Sequence, residues 1–375
     1  MLSKLEGPRP AQPEELPQIL ALANHVMRGG REPTIATDYS FIYNLENVRN
    51  VIVVKDDDIV VSMAGVWTNT TRAGDAAIQA GGINCVATSP GYRGQGLASH
   101  TMRAAVEHMA GLGCHVGRLT TEINAWYHRL GWENTGSLFT YSLNHSNVDL
   151  LPALPHGVVV EEGTHFDDEV VDAILRLRHS DRLGGERTPQ IMRELLAADN
   201  DPSLVGNKRH VLAIQDGSFV AYCLDSDHGI VEWGGDCRLV AGLVRQWFTM
   251  RVGQRAGHPA TGSQQKVPDS PELALVAPAE GHPFADLLRS LSIPCRREYW
   301  GMLYVIDPRG VLDSFGLNDI NVTQLDDEFT LTRGAESITV MRQGLAKLLF
   351  GPERTSDFAR DVLPLLFWEW PLEHV

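Results

Sequence analysis

The chain repeats itself once, loosely, and that repeat restricts its fold more than any single motif does. VIVVKDDDIVVSMAG (Val51–Gly65) is two β-branched runs around an Asp-rich turn, the pattern of a β-hairpin. The same pattern returns at Val211–Leu224, VLAIQDGSFVAYCL, which turns at Asp216–Gly217. Each hairpin is followed by a strand with paired glycines, Ala76–Thr88 and Gly229–Asp236, and then by an amphipathic helix. In the first copy Ala98, Met102, Ala105, Val106 and Met109 share one helical face, and Gly111 and Gly113 stop the helix. Leu239–Val252 does the same in the second copy. A further strand, Val116–Glu122 or Glu272–Pro278, and a short helix complete each unit. The matching order of elements points to duplication of an α/β unit, against the alternative that two βα units resemble each other by chance.

A chain of 375 residues is too long for one ordinary core. The repeat divides it into 1–150, 151–298 and 299–375. Between the copies, Asn144–Gly157 mixes turn formers with prolines and reads as a linker. The remainder from Tyr299 has a strand at Gly301–Ile306, a helix opened by Pro308 and a hairpin turning at Arg333–Gly334. Helices around Gly344–Leu349 and Ser356–Leu366 close it, the latter capped by Thr355 or Ser356, which makes a small α+β domain.

With 47 acidic against 32 basic residues the net charge is −15, which disfavours a nucleic-acid partner and suits a cationic one, although such acidity also simply keeps a protein soluble. No apolar run is long enough for a membrane span, and the amino terminus lacks the apolar stretch of a signal peptide, so a cytoplasmic location is expected. The five cysteines are odd in number and scattered, without metal-ligand spacing; they read as buried thiols in a reducing compartment, and no metal is expected. HExxH, GxSxG and calcium-loop patterns are absent.

The chemistry concentrates at Ile83–Ser99, where a strand enters a helix through a turn containing Gly91, Gly94 and Gly96. Glycines let main-chain N–H groups approach an anion, and the helix start adds partial positive charge, so a pyrophosphate fits there. No Gly-Lys-Ser/Thr follows, which excludes a Walker loop, and the third glycine of a dinucleotide fingerprint is missing. Instead Arg93-Gly94-Gln95-Gly96-Leu97-Ala98 fits Arg/Gln-x-x-Gly-x-Gly/Ala. In this the sequence resembles the GCN5-related N-acetyltransferases (GNAT), whose acetyl-CoA pyrophosphate lies on such a turn. Downstream, Glu122–Gly136 is similar to the family's Tyr-x-x-x-Gly-Phe signature, with Tyr127, Gly131 and Trp132 in the matching places.

The resemblance implies acetyl-CoA as co-substrate, its pantetheine arm held by the backbones of Cys85, Val86 and Ala87. It also implies Tyr127 as the acid that protonates the departing thiolate; the bland alternative is that this ring only packs beside Trp126 and Trp132. A general base is harder to find. Glu122, Asp38 and Glu46 are candidates for that role or for holding substrate, while His100 and His108 read as surface residues. The layout as a whole resembles the Eis-type (enhanced intracellular survival) acetyltransferases, with tandem GNAT folds and a carboxy-terminal domain similar to sterol carrier proteins. Tyr127-His128-Arg129-Leu130-Gly131-Trp132 matches that branch's Tyr-x-Arg-x-Gly-aromatic run. By the same carry-over the α-carboxylate of Val375 accepts a proton in the active site, the acceptor is a primary amine on a cationic molecule or a lysine, and the protein is a homo-oligomer. The second copy, Trp233–Gly242, lacks the Arg-x-x-Gly-x-Gly/Ala turn and is expected to bind no CoA. The competing reading is a non-catalytic lipid- or peptide-binding protein with a vestigial CoA site.

Overall fold

The computed structural model describes residues 5–31, 34–198, 206–256, 273–278 and 282–374. The first stretch runs β1 (Leu5–Pro10), α1 (Leu16–Arg28), a short α2 (Ile35–Asp38), β2 (Val51–Asp56), β3 (Ile59–Ala73), β4 (Ala76–Thr88), α3 (Leu97–Gly111), β5 (Val116–Leu119), α4 (Asn124–His128), β6 (Glu133–Thr135) and β7 (Leu138–Leu143). The second runs β8 (Val159–Gly163), α5 (Asp168–Asp181), β9 (Leu183–Gly185), α6 (Pro189–Ala197), β10 (Arg209–Gln215), β11 (Ser218–Ser226), β12 (Gly229–Gly235), α7 (Cys237–Ala256), β13 (Leu273–Pro278), α8 (Pro283–Ser290) and β14 (Cys295–Glu298). Then come β15 (Gly301–Val305), α9 (Pro308–Ser314), the meander β16 (Asn321–Leu325), β17 (Glu328–Arg333) and β18 (Glu336–Met341), and α10 (Arg342–Phe350). The mixed α/β class expected from the repeat is what is found, with sheets flanked by helices.

The strands form three sheets, and two of them exchange a strand. The first has the order β1-β2-β3-β4-β5-β15-β6, with β9 added to β3; the second is β14-β7-β13-β12-β11-β10-β8; the third is β16-β17-β18. Thus β7 leaves the first repeat to lie between β13 and β14, while β15 crosses back to lie between β5 and β6. Neither sheet stays within the linear limits 1–150 and 151–298. The largest buried cluster therefore crosses both sheets: Ile78 and Val116 of the first, Trp233 of the second and Leu349 of α10 all belong to it.

Close packing of α3 on the first sheet requires a residue without a side chain at one point. A Cβ on Gly81 would sit 2.2 Å from Met109 Sδ, inside any tolerable contact distance. The linker is packed rather than loose: Val148 and Leu151 are buried, and Arg245 Nη1 donates to the Leu151 carbonyl at 2.9 Å.

The expected helix at Ser356–Leu366 is not formed; that stretch is a series of turns. Pro364 falls inside it and carries no N–H to continue a helical ladder. Ser356 Oγ instead accepts from the Phe358 amide at 3.2 Å. The rest of the tail is docked. Trp368 and Trp370 are buried, and Trp370 lies edge-on to Trp233 of the second repeat at 5.1 Å.

Candidate active site

The glycine turn delivers an open helix start. Gly94 and Gly96 both have φ of 79°, a left-handed conformation costly for residues with a Cβ, although a Cβ there would meet nothing. Backbone geometry, not crowding, therefore demands these glycines. Gly96 supplies no capping side chain, the first turn of α3 holds no acid, and the ladder begins only with His100 N to Gly96 O at 3.1 Å. The amides before His100 have no partner within the helix. Arg93, Gly94, Gln95 and Gly96 are exposed, with Arg93 Nε near the Thr88 carbonyl at 3.3 Å, whereas Leu97 is buried and anchors the turn. The second repeat differs at this point. Asp236 Oδ1 accepts from Arg238 N and Leu239 N at 2.9 and 3.1 Å, so a carboxylate already occupies the start of α7.

Beside the turn, β4 and β5 part company. They pair in parallel at Ala80, Gly81 and Gly82 opposite Val116, Gly117 and Arg118, and no further. On the other side of β4 the register with β3 slips between Met63 and Gly65, and Cys85 takes φ of 47°, the signature of a bulge. Tyr43 braces it: its hydroxyl donates to Asn84 Oδ1 at 2.9 Å. Ile83–Val86 and Leu119–Thr121 thus diverge around a cleft of about 400 Å³, closed by Tyr39 and Tyr127.

Tyr127 stands on α4 with its ring edge-on to Trp126 and Trp132 at 4.7 and 6.3 Å. Among the described residues nothing hydrogen-bonds its hydroxyl, and Tyr127 lines the cleft. Burial, followed by the neighbouring Cys85 thiol, pushes its pKa up to about 12, so the phenol keeps its proton at neutral pH. Burial likewise raises the Cys85 thiol to about 12, which leaves it neutral and unsuited to nucleophilic attack; Cys114 and Cys223 are buried too, but Cys237 is half-buried and Cys295, on the edge strand β14, is exposed, against the expectation of five buried thiols. The position of α4 is secured from the carboxy-terminal part, where Gln343 Nε2 of α10 donates to the His128 carbonyl.

The other candidates lie elsewhere. Asp38 is fully buried and ion-paired with Arg28, and it is Arg28 that lines the cleft. Glu122 is exposed on the loop after β5 and outside the lining, and Glu46 is exposed. His100 is exposed; His108 is half-buried, its Nε2 2.9 Å from Asn50 Oδ1. Val375 lies outside the described residues, but the chain just before it is held firmly. The Glu373 carbonyl accepts from Arg118 Nη1 at 3.1 Å, one residue before the cleft residue Leu119. The Glu373 carboxylate is bound by Arg178 at 2.5 Å and Arg187 at 2.8 Å, and Glu369 by Arg118 at 2.8 Å. Arg28 and Tyr39, which line the cleft, and Tyr43, which braces its wall through Asn84, were not legible in the sequence, because no motif surrounds them and only the fold brings them together.

Residues 7–135 match the family model described as the acetyltransferase (GNAT) domain. The chain carries a GNAT-type acetyltransferase domain. No curated protein matches the sequence. Among solved structures, a protein of unknown function from Enterococcus faecalis V583 is similar with a TM-score of 0.62 at 14% identity, over 92% of this chain and 89% of that one. A GCN5-related N-acetyltransferase from Anabaena variabilis gives 0.60 at 14%, over 92% and 90%. Eis1 from Mycobacterium abscessus gives 0.57 at 11%, over 96% and 93%. At such identities the likeness is one of fold.

Proposed function

We propose that the protein is an acetyl-CoA-dependent N-acetyltransferase in which Tyr127 is the general acid. The observation that carries this is an uncapped helix start at Gly96–Leu97 beside a splayed pair of strands whose gap is lined by Tyr127. The pyrophosphate rests on the amides from Arg93 to Ala98. Cys85, Val86 and Ala87 present main-chain groups, freed by the parting of β4 from β5, to the pantetheine arm. The thioester carbon then meets a primary amine that arrives neutral; the C–N bond forms, the C–S bond breaks, and the phenol hands its proton to the leaving sulfur. The proton lost by the amine restores the balance through water or a carboxylate. The α-carboxylate of Val375 is the proposed acceptor by the same resemblance; Glu373, two residues earlier, is anchored on Arg118, whose strand neighbour Leu119 lines the cleft.

The second repeat, with Asp236 in the anion position, acts as scaffold and cleft wall. The carboxy-terminal part, an Eis-like and sterol-carrier-like element by resemblance, holds α4 and delivers the tail. The net charge of −15 supports a cationic acceptor, whereas the described residues of the transfer cleft include no carboxylate; the geometry therefore supports an amine more strongly than a polycation. A reducing, cytoplasmic setting is supported by five free thiols, and assembly into homo-oligomers follows from the resemblance alone. Calorimetry with acetyl-CoA, followed by thiol release with a panel of amines, tests the reading. Folded protein with no affinity for CoA or its acyl forms defeats it.

A further inference from the structure

A second cavity, of about 830 Å³, opens on the seam between the two repeats. One wall is β3 from Trp67 to Arg72; the other is formed by α5, β9 and the start of α6. Among the described residues its lining holds Arg72, Arg176, Arg178, Arg182 and Arg187 against a single acid, Glu186. That sign is opposite to the −15 of the chain. Arg178 and Arg187 form a rigid floor, because Glu232 and Glu373 bind them from behind. At the rim Arg72 pairs with Glu186, Arg182 pairs with Asp75, and Arg176 donates to the Phe219 carbonyl. Setting these four carboxylates against the five guanidinium groups leaves one positive charge in excess.

The rim pairs are solvent-exposed, where an ion pair contributes little and yields readily to a better partner. A guanidinium fork matches the geometry of a carboxylate or phosphate. Trp67, Leu175, Leu183 and Ile191 add an apolar wall, and a concave site of this volume with a few convergent polar groups is of small-molecule size. Trp67 is joined through Phe41 to Tyr39 of the transfer cleft, with ring centroids 4.9 and 6.2 Å apart.

We propose that this cavity binds a small organic anion, its apolar body against Trp67 and its oxyanion on Arg176 and Arg182. The assignment goes beyond acetyl transfer and does not depend on it. The test is calorimetry at low ionic strength on the full chain, with 4-phenylbutyrate, phenyl phosphate and the neutral 4-phenylbutyramide as probes. At least one anion binds, the amide binds at least about tenfold more weakly, and the stronger anion tells a carboxylate ligand from a phosphate one. The double variant Arg176→Ala, Arg182→Ala lowers anion affinity at least about tenfold and leaves the amide unchanged. Equal binding of amide and anions, indifference of the double variant, or no binding of either anion at millimolar concentration overturns the assignment. Acetyl-CoA binds the double variant as it binds the natural chain; failure of acetyl-CoA with the natural chain strikes the transferase reading and not the cavity.

Discussion

Replacing Tyr127 by Phe removes one oxygen and nothing else that the fold uses. The ring keeps its edge-on contacts with Trp126 and Trp132, and the Tyr127 main-chain carbonyl still accepts from Leu130 and Trp132. Since no described group hydrogen-bonds the hydroxyl, stability should change by less than about 0.5 kcal/mol. CoA affinity should also hold, because the pyrophosphate turn is on α3 and not α4. The loss falls on chemistry alone. A general acid is worth about 10² to 10⁴-fold, and at about 1.36 kcal/mol per factor of ten the barrier rises by about 2.7–5.4 kcal/mol. Thiol release under saturating acetyl-CoA should show this in kcat, with thermal melting and CoA titration as controls. The pH profile adds an independent reading. With the phenol near 12, the acid stays protonated through neutral and moderately alkaline pH, so kcat/KM should climb as the amine loses its proton and show no descending limb below pH of about 10. A variant that binds CoA, melts normally and retains more than about a tenth of kcat would refute the acid role and leave Tyr127 as packing.

Three further outcomes follow from the same geometry. Gly96→Asp should weaken acetyl-CoA binding at least about tenfold in calorimetry, because it sets a negative charge where Asp236 sits in the second repeat. Glu373→Gln should destabilise the chain by about 3–5 kcal/mol, since it leaves Arg178 and Arg187 buried with Glu232 as their remaining carboxylate; a lower melting temperature and faster amide exchange in the tail would register it. Burial, only partly offset by Arg118, holds the Glu369 carboxyl up at about 7 against an ordinary 4.5. Between those values the folded state holds a proton that the unfolded state has lost, so this group's contribution to stability falls as pH rises from about 4.5 to about 7. The fall should be absent when Glu369→Gln is melted across the same range.

Much of the transfer site was legible before any coordinates. The turn from Arg93 to Ala98 and the strand ahead of it lie within one βα unit, β4–α3, where hydrophobic period and glycine placement are local signals, and Tyr127 follows on α4 after β5. Asp38 and Glu122 were less tractable because a carboxylate's role depends on what faces it: Asp38 is tied to Arg28, and Glu122 is exposed and outside the cleft lining. The helix read over Ser356–Leu366 failed for a related reason, since a short apolar run with a capping serine satisfies local rules while Pro364 and the buried tryptophans draw the chain into turns.

Composition, the repeated hairpin and the glycine turn determine, by themselves, a mixed α/β chain with an open glycine turn at one helix start; the proposed pyrophosphate site there and the proposed role of Tyr127 rest on the resemblance. The exchange of β7 and β15, the anchoring of the tail and the arginine-lined seam were decided only in three dimensions. A five-residue apolar strand such as Gly301–Val305 suits either sheet equally well, and contacts such as Arg118 with Glu369 or Arg187 with Glu373 join residues far apart in the chain. No periodicity records such pairs; they become favourable only when the whole core closes and removes their charges from water together.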